Sequence, residues 1–244
     1  MTHTEAQRHG EEHFACVVAG PARLRVRRGL EDAAGVLVDA WEGRAEEWIG
    51  GGRAPHPVVA LGDGGRAVVR RFRRGGMVRH FNRDRYFGGD RAEEELRATE
   101  AARVGGVRAP EVIAAGRIAA FPGYRAMIAT RLIPGVRDAA AAFADGVERA
   151  GVLREAGRQI ARMHAAGVAH PDLNLRNLLV GKPGEVWLID FDRALVVEGI
   201  VPRGRRERDL ARLARSAAKL GFALGAADRA VLLDGYTSET PDLG

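Results

Sequence analysis

Two segments decide the fold of this chain: His170-Pro171-Asp172-Leu173-Asn174-Leu175-Arg176-Asn177 and, after a short strand, Val186-Trp187-Leu188-Ile189-Asp190-Phe191-Asp192. Together they place a carboxylate at Asp172, an amide at Asn177 and a second carboxylate at Asp190. The stretch Gly181-Lys182-Pro183-Gly184 predicts a hairpin-like turn between two apolar strands. Polar groups at these offsets suit phosphoryl transfer from a nucleotide, because the protein must mainly position the acceptor and hold divalent ions against phosphate oxygens.

Each of the three residues has a predicted role. Asp172 is the predicted catalytic base, which takes or orients the proton of the acceptor hydroxyl. Asn177 and Asp190 are the predicted oxygen ligands of Mg²⁺, a hard cation that prefers such ligands. The competing interpretation is structural, since Asp and Asn favour turns and strand ends in any fold. The combined spacing favours the catalytic interpretation, because several fixed positions are more specific than a single short motif.

Length and composition are those of a globular protein. The chain has 244 residues, of which 46% are hydrophobic, enough for one large domain or two small lobes. No apolar run approaches the roughly 18 residues of a membrane-spanning helix, and the first residues are polar where a signal peptide would be apolar. A single cysteine, Cys16, cannot form an internal disulfide. These features predict a cytoplasmic protein.

The positive charge is concentrated in one part of the chain. The formal net charge is +6, and eight arginines fall between Arg66 and Arg85 against one acidic residue, Asp84. Such an excess would attract phosphates or carboxylates at close range. A solvated basic face, or a bias in coding composition, would produce the same pattern.

The first half of the chain predicts a small sheet that carries a nucleotide site. Residues 1 to about 20 are expected to be poorly ordered or loosely docked, and residues 36–41 to form a first strand or a short amphipathic piece. Gly51 and Gly52 belong to a glycine run that could cover a phosphate, or could simply be a flexible turn. Two apolar runs, 57–61 and 66–72, are joined by Gly62-Asp63-Gly64-Gly65 and predict a β-hairpin.

A cation and an acid are predicted to meet beside that hairpin. Arg70 shares one face of the second strand with Val68 and Phe72 and would contact the nucleotide phosphates, unless it is an exposed edge arginine. Asp90 is the predicted cap of a helix over 91–103, and Glu95 on this helix is the predicted partner of Arg70. The alternative is that the acids of this helix are all surface charges near its N-terminus.

The remaining elements predict a lobe boundary and a helical second half. Strands are expected over 107–116 and 124–133, and the backbone of Arg131 and Leu132 could pair with an adenine ring. Helices are expected over 151–166 and 207–220. His164 and His170 are expected to support the structure, and Asp209 to anchor the catalytic loop. The expected domains are an N-terminal extension with a first strand over 1–45, an N-lobe over 46–133 and a C-lobe over 134–244.

With these residues identified, the chain resembles the bacterial lipopolysaccharide-core sugar kinases, above all those acting on 3-deoxy-D-manno-octulosonic acid (Kdo). The resemblance runs from about Gly50 to Leu220. Its distinctive parts are Val69-Arg70-Arg71-Phe72-Arg73-Arg74-Gly75-Gly76, Arg83-Asp84-Arg85-Tyr86-Phe87, His170-Pro171-Asp172-Leu173-Asn174 and Trp187-Leu188-Ile189-Asp190-Phe191-Asp192. An arginine in place of the usual kinase lysine is typical of that family. Pro171 and Arg176 depart from its pattern, which leaves the acceptor open.

The resemblance implies an α+β, protein-kinase-like bilobal fold with a small β-rich N-lobe and a mainly helical C-lobe. It implies ATP and Mg²⁺, and phosphorylation of the 4-hydroxyl of Kdo linked to lipid A during lipopolysaccharide core synthesis. The basic cluster would hold the protein peripherally at the anionic cytoplasmic face of the inner membrane. A heptose kinase, an aminoglycoside-type kinase and a catalytically idle binding module stay open. Sparse aromatic residues disfavour nucleic-acid binding, and no obligate protein partner is inferred.

Overall fold

The computed structural model describes residues 12–50, 55–72 and 85–239. These residues divide into two compact units, an N-terminal unit (residues 12–96 and 111–132) and a C-terminal unit (97–110 and 133–239). Within the described ranges, no helix combines the length and apolar character that a membrane crossing would need.

The N-terminal unit is built on one antiparallel sheet of seven strands in the order β1-β2-β6-β7-β5-β4-β3. The strands are β1 (Phe14–Ala19), β2 (Ala22–Arg27), β3 (Glu47–Ile49), β4 (His56–Ala60), β5 (Arg66–Arg71), β6 (Val112–Ala119) and β7 (Tyr124–Arg131). Its helices are α1 (Ala34–Trp41) and the first turns of α2 (Arg91–Val104). The predicted hairpin of β4 and β5 is confirmed, with Val58 opposite Val68.

Each face of this sheet has its own core. Leu37 and Trp41 of α1 pack with Val69 on one face, and Leu96 of α2 packs with Phe72 on the other. Adjacent residues of a strand point to opposite faces. Consequently Arg70, two residues from Phe72, lies on the α2 face, as the sequence predicts.

Two expectations for the start of the chain need correction. Residues 14–19, expected to be loosely docked, form β1, which pairs along its full length with β2. All six residues of β1, Phe-Ala-Cys-Val-Val-Ala, are apolar, so the stretch shows no alternation of polar and apolar residues. Periodicity alone cannot distinguish a short apolar run of this kind as a strand or a helix. Of the two alternatives for residues 36–41, the strand is wrong and the short amphipathic piece is confirmed, because these residues belong to helix α1, which buries Leu37, Val38 and Trp41.

The C-terminal unit is mainly helical, with short antiparallel strands. Its helices are α3 (Ala139–Ala144), α4 (Arg149–Ala165), α5 (Arg203–Lys219) and α6 (Ala226–Glu239), and its strands are β8 (Arg137–Asp138), β9 (Val168–Ala169), β10 (Leu178–Val180), β11 (Val186–Leu188) and β12 (Leu195–Val196). The predicted α+β class, with a β-rich N-terminal part and a mainly helical C-terminal part, is confirmed.

Helices α4 and α6 approach each other closely because of two glycines. A Cβ atom on Gly157 would lie 2.1 Å from the carbonyl oxygen of Leu232, and one on Gly235 would lie 2.0 Å from that of Arg154. Only glycine leaves room for the two backbones at this distance. Leu153 and Ile160 of α4, both fully buried, then contribute to the core of the unit.

The contacts place residues 12–45 in the same unit as the strands that follow them, and they place 97–110 and Ile133 in the C-terminal unit. These contacts report which residues pack together, and they do not report which residues bind a ligand. We therefore retain the boundaries 46–133 and 134–244 as a proposal about which residues bind the nucleotide and which bind the acceptor.

Candidate active site

The register of one hairpin brings two predicted metal ligands together. Strands β10 and β11 are antiparallel, with Leu178 opposite Leu188, so the residue before β10 and the residues after β11 emerge at the same end. The N–H of Ile189 donates a 3.0 Å hydrogen bond to the carbonyl oxygen of Asn177. Asp190 therefore follows immediately after a residue bonded to Asn177. The predicted turn at 181–184 is confirmed, since Gly181 bonds to the carbonyl oxygen of Glu185.

Asp190 has an unusual backbone conformation. Its φ angle is +66°, the one positive value for a non-glycine residue in the described part of the chain. Asp tolerates this left-handed conformation better than most residues, and such outliers cluster at functional sites. Phe191, which is 1% exposed, packs against the ring of His170 with centroids 5.3 Å apart and so fixes the chain just after Asp190.

The loop of residues 170–177 is held by its own side chains. The carbonyl oxygen of Asp172 accepts hydrogen bonds from Nδ2 of Asn174, at 2.7 Å, and from Nδ2 of Asn177, at 3.1 Å. These bonds direct the Asp172 side chain outward, where it is 47% exposed. The carboxylate is thus accessible to a substrate while its backbone is fixed.

Arg212 on α5 holds the Asp172 carboxylate. Its Nη2 donates a 2.6 Å hydrogen bond to Oδ1 of Asp172, and the Arg212 side chain is 34% exposed. A charge-assisted bond of this kind restricts the carboxylate to one orientation. Sequence reasoning missed this residue, because α5 carries many arginines and only the packing of α5 beside the loop singles one out.

The donor set at Asn177 and Asp190 fits a magnesium ion. Nδ2 of Asn177 is committed to the carbonyl of Asp172, so Oδ1 is the atom of this amide that could face a cation. The side chain of Asn177 is nearly buried, at 8% exposure, and an amide oxygen beside a carboxylate matches the preference of a hard cation.

A buried polar network anchors the 170–177 loop to the helices. Asp209 of α5, which is 3% exposed, accepts a 2.6 Å hydrogen bond from the backbone N–H of His170 and contacts Nε2 of His164 at 3.3 Å. The other ring nitrogen of His164 lies 2.9 Å from the hydroxyl of Tyr236 on α6. The predicted anchoring role of Asp209 is confirmed, as are the supporting roles of both histidines, since Nε2 of His170 lies 3.2 Å from the carbonyl oxygen of Ile189.

Burial fixes the protonation of this network. Desolvation lowers the pKa of His164 below its ordinary value of 6.5, despite the opposing hydrogen bond to Asp209. Neutral His164 then donates from Nε2 to Asp209 and accepts at Nδ1 from the hydroxyl of Tyr236. Burial also raises the pKa of Tyr236, so that this hydroxyl keeps its proton.

In the N-terminal unit, Arg70 and Glu95 form the predicted pair. The Arg70 guanidinium donates to both carboxylate oxygens of Glu95, whose side chain is 4% exposed, and lies over the ring of Phe72 at 5.1 Å. Glu94 on the same helix turn is exposed. The helix cap is also as predicted, since the N–H of Glu93 donates to Oδ1 of Asp90 at 3.2 Å.

Arg131 and Leu132 end β7 with their amides already engaged. The N–H of Arg131 donates to the carbonyl oxygen of Glu111 and that of Leu132 to the carbonyl oxygen of Arg66, both at 2.8 Å. The Arg131 side chain bonds to Asp63 at 2.7 Å and to Glu111 at 2.6 Å, and these bonds raise its pKa. An adenine contact here would therefore not use either of these N–H groups.

Some predicted site residues lie outside the described residues. Gly51 and Gly52, the predicted phosphate-covering glycines, are among them, and so are four arginines of the basic cluster, Arg73, Arg74, Arg79 and Arg83. Of the described members, Arg66 pairs with Glu47 and Arg70 with Glu95.

Comparisons with known proteins agree on one family. The sequence model of the Lipopolysaccharide kinase (Kdo/WaaP) family matches residues 39–236. A 3-deoxy-D-manno-octulosonic acid kinase of Xylella fastidiosa (strain 9a5c) is 38% identical over 192 residues, covering 76% of this chain and 75% of the relative. Another of that name, from Xanthomonas oryzae pv. oryzae (strain PXO99A), is 36% identical over 215 residues, covering 85% and 82%. The solved structure of WaaP in complex with acyl carrier protein superposes with a TM-score of 0.62 at 21% identity, covering 88% and 89% of the two chains, and shows that the fold is the same.

Proposed function

The chain belongs to the Lipopolysaccharide kinase (Kdo/WaaP) family, and from that premise we propose that it transfers the γ-phosphoryl group of ATP to the 4-hydroxyl of Kdo on lipid A. The predicted resemblance and the predicted kinase class are confirmed by the family match. The nucleotide, the metal and the acceptor position are the proposal.

The observation that carries the proposal is the arrangement of Asp172, Asn177 and Asp190. One loop fixes Asp172 with its carboxylate exposed, and the β10–β11 register brings Asn177 beside the segment of Asp190. In the proposed reaction the Asp172 carboxylate orients the acceptor hydroxyl and accepts its proton. Asn177 and Asp190 would hold Mg²⁺, which supplies charge neutralisation at the phosphate oxygens.

The N-terminal unit supplies the proposed nucleotide-binding groups. Arg70, steadied by the nearly buried carboxylate of Glu95, acts on the phosphates where other kinases use lysine. Gly51 and Gly52 are proposed to cover the phosphates with backbone N–H groups. Because the amides of Arg131 and Leu132 are engaged, we assign adenine recognition at this position to carbonyl oxygens.

Arg212 supports an acidic acceptor. Its guanidinium donates to Asp172 through Nη2 and is one-third exposed. A positive charge therefore lies beside the carboxylate that the acceptor hydroxyl is proposed to contact. Kdo carries a carboxylate, and a guanidinium recognises carboxylates well. A heptose lacks that group, which makes a heptose kinase the second candidate. The lipid-linked acceptor also places the chain peripherally at the cytoplasmic face of the inner membrane.

The test is transfer of labelled phosphate from ATP to Kdo-lipid A, with heptose-bearing acceptors as the comparison and mass spectrometry of the product to locate the phosphate. Asp172→Asn should lower kcat by about 10²- to 10⁴-fold, the usual contribution of a positioned base. A matched control is Asp145→Asn, because Asp145 is also paired with an arginine but is 60% exposed and lies away from the loop in sequence.

Undiminished transfer by folded Asp172→Asn would refute the catalytic assignment. Preferential labelling of the heptose acceptor would replace Kdo by the second candidate. Salt-sensitive RNA or DNA binding without any ATP turnover would indicate the idle binding module instead.

A further inference from the structure

Three loops meet at one end of the N-terminal sheet. Ala22, which begins β2, pairs with Ile118 near the end of β6, so the β1–β2 and β6–β7 turns lie at the same end. Tyr86 forms an antiparallel bridge with Tyr124, the first residue of β7, which brings residues 85–89 to that end as well. We call this surface the aromatic end and define it by Arg23, Arg85, Phe87, Arg117 and Phe121.

The aromatic end exposes two phenylalanines. Phe121, in the β6–β7 turn, is 95% exposed and Phe87 is 58% exposed. A Cβ atom on Gly123 would lie 3.1 Å from the Phe87 ring, so the two aromatic side chains belong to adjoining loops. Burial of an apolar ring stabilises a protein, and at these exposures neither ring obtains the whole of that contribution.

Arginines surround these rings in an arrangement that opposes stability. Arg23 and Arg117 are directly opposite each other in the register of β2 and β6, and both are exposed. Like charges at such positions repel. Asp90 offsets part of this repulsion, since Arg117 approaches it at 3.6 Å. A concavity of about 440 Å³ is lined by both arginines, Phe87 and Tyr124. Repelling cations around a cavity suit an anionic ligand.

The platform beneath is rigid. Tyr86 and Tyr124 exchange backbone hydrogen bonds of 2.8 and 2.9 Å, and the Tyr124 hydroxyl donates to the carbonyl oxygen of Gly89 at 2.9 Å. Arg85 donates to the carbonyl oxygen of Phe121 and so ties two of the loops together. The exposed rings are therefore presented by an ordered surface.

We propose that the aromatic end is the surface by which this protein binds an anionic lipid bilayer, with Phe121 and Phe87 inserted at the headgroup level and the arginines on lipid phosphates. The inference rests on the proposed function, which requires a lipid-linked acceptor. Exposed aromatic rings on loops within a basic surround suit insertion between headgroups. A protein partner would call for a broader complementary face of roughly 800 Å².

The test uses the full chain and vesicles of phosphatidylethanolamine with phosphatidylglycerol, against vesicles of phosphatidylcholine, in a flotation assay. The wild type should bind the anionic vesicles more tightly. Phe121→Ala should weaken binding about tenfold, and Arg23→Gln and Arg117→Gln about fivefold each. High salt should weaken vesicle binding by the wild type as the arginine substitutions do, because salt screens the attraction between the arginines and the lipid phosphates.

Matched controls separate the surface from general effects. Trp48→Ala removes another exposed aromatic, on the edge strand β3, and should leave vesicle binding unchanged. Arg203→Gln makes the same charge change on α5, where that side chain is 76% exposed, and should weaken binding less than Arg117→Gln. Arg23→Gln should keep or raise the thermal stability, because it removes a repulsion.

The proposal is overturned if the wild type does not prefer anionic vesicles, or if Phe121→Ala binds them as the wild type does. In the first case a protein partner becomes the occupant. Transfer to Kdo-lipid A dispersed in detergent, with no vesicles present, tests the proposed function separately. If the wild type is inactive on this acceptor the function fails, whereas an active Phe121→Ala that no longer floats with vesicles supports the surface.

Discussion

Replacing Asp209 by alanine should loosen the 170–177 loop and destabilise the protein more than the loss of an exposed ion pair would. The nearly buried carboxylate accepts from the N–H of His170 at 2.6 Å and contacts His164 at 3.3 Å. Hydrogen bonds to charged groups contribute about 1.5–3 kcal/mol each, so losing both should lower the free energy of unfolding by about 3–6 kcal/mol. This is a large part of the roughly 5–15 kcal/mol that stabilises a typical domain.

Asp209→Asn should destabilise the protein less than Asp209→Ala, because the uncharged amide oxygen can still accept both hydrogen bonds. The expected loss is about 2 kcal/mol, the difference between charged and neutral acceptors summed over two bonds. Asp234→Ala is the control, since Asp234 pairs with Arg154 while 65% exposed and should cost less than about 1 kcal/mol.

Urea unfolding followed by circular dichroism measures all three changes, and hydrogen exchange of the His170 amide reports the loop itself. In the wild type this amide should exchange slowly, and in both Asp209 variants faster. The reasoning is refuted if Asp209→Ala and Asp234→Ala unfold within about 1 kcal/mol of each other, or if the His170 amide stays equally protected.

Three further predictions concern packing, pH and the nucleotide site. Gly157→Ala should lower the melting temperature by several degrees, because its Cβ would lie 2.1 Å from a carbonyl oxygen of the facing helix, whereas Gly204→Ala, with nothing within 4 Å, should be neutral or stabilising. Burial lowers the pKa of His164, so the unfolded chain gains a proton below pH 6.5 that the folded chain resists. Stability should thus be full above that pH and fall by up to about 1.4 kcal/mol per pH unit below it, and His164→Gln should reduce the slope measured by urea unfolding at pH 7.5 and 5.5. Glu95→Gln should lower kcat/KM for ATP on the order of 10²-fold by releasing its arginine, with exposed Glu94→Gln as the near-neutral control in the same steady-state assay.

The parts of the site that the sequence predicts are those governed by local geometry. Asn177 and Asp190 flank a hairpin, and the antiparallel register of two short apolar strands is enough to bring their segments together. The pairing of Arg70 with Glu95 is consistent with the side-chain periods of the two elements, two residues for the strand and about four for the helix, once the strand and the helix are known to pack together. Whether these groups bind ATP and Mg²⁺ stays a prediction.

The parts that sequence reasoning gets wrong depend on what else pairs with the same backbone. No polar-apolar alternation marks β1 as a strand, because its six residues are all apolar, and the strand is completed by pairing with β2. Likewise, the sequence does not show that the N–H groups of Arg131 and Leu132 are hydrogen-bonded to Glu111 and Arg66 in the folded unit, while the predicted adenine contact of this backbone stays a prediction. Which backbone groups are already hydrogen-bonded depends on the tertiary structure, and a sequence motif does not show it.

Arg212 illustrates this limit most sharply. Composition alone cannot choose it among the six arginines of helix α5, which are Arg203, Arg205, Arg206, Arg208, Arg212 and Arg215. Asp209 lies one turn earlier on the same helix and accepts a hydrogen bond from the backbone N–H of His170. This bond fixes the position of α5 along its axis relative to the loop. Residues three apart on a helix lie on neighbouring positions of one face. Asp209, which holds the loop, therefore also positions Arg212 beside Asp172, so a shift of α5 would move the Asp172 carboxylate and the Arg212 guanidinium together.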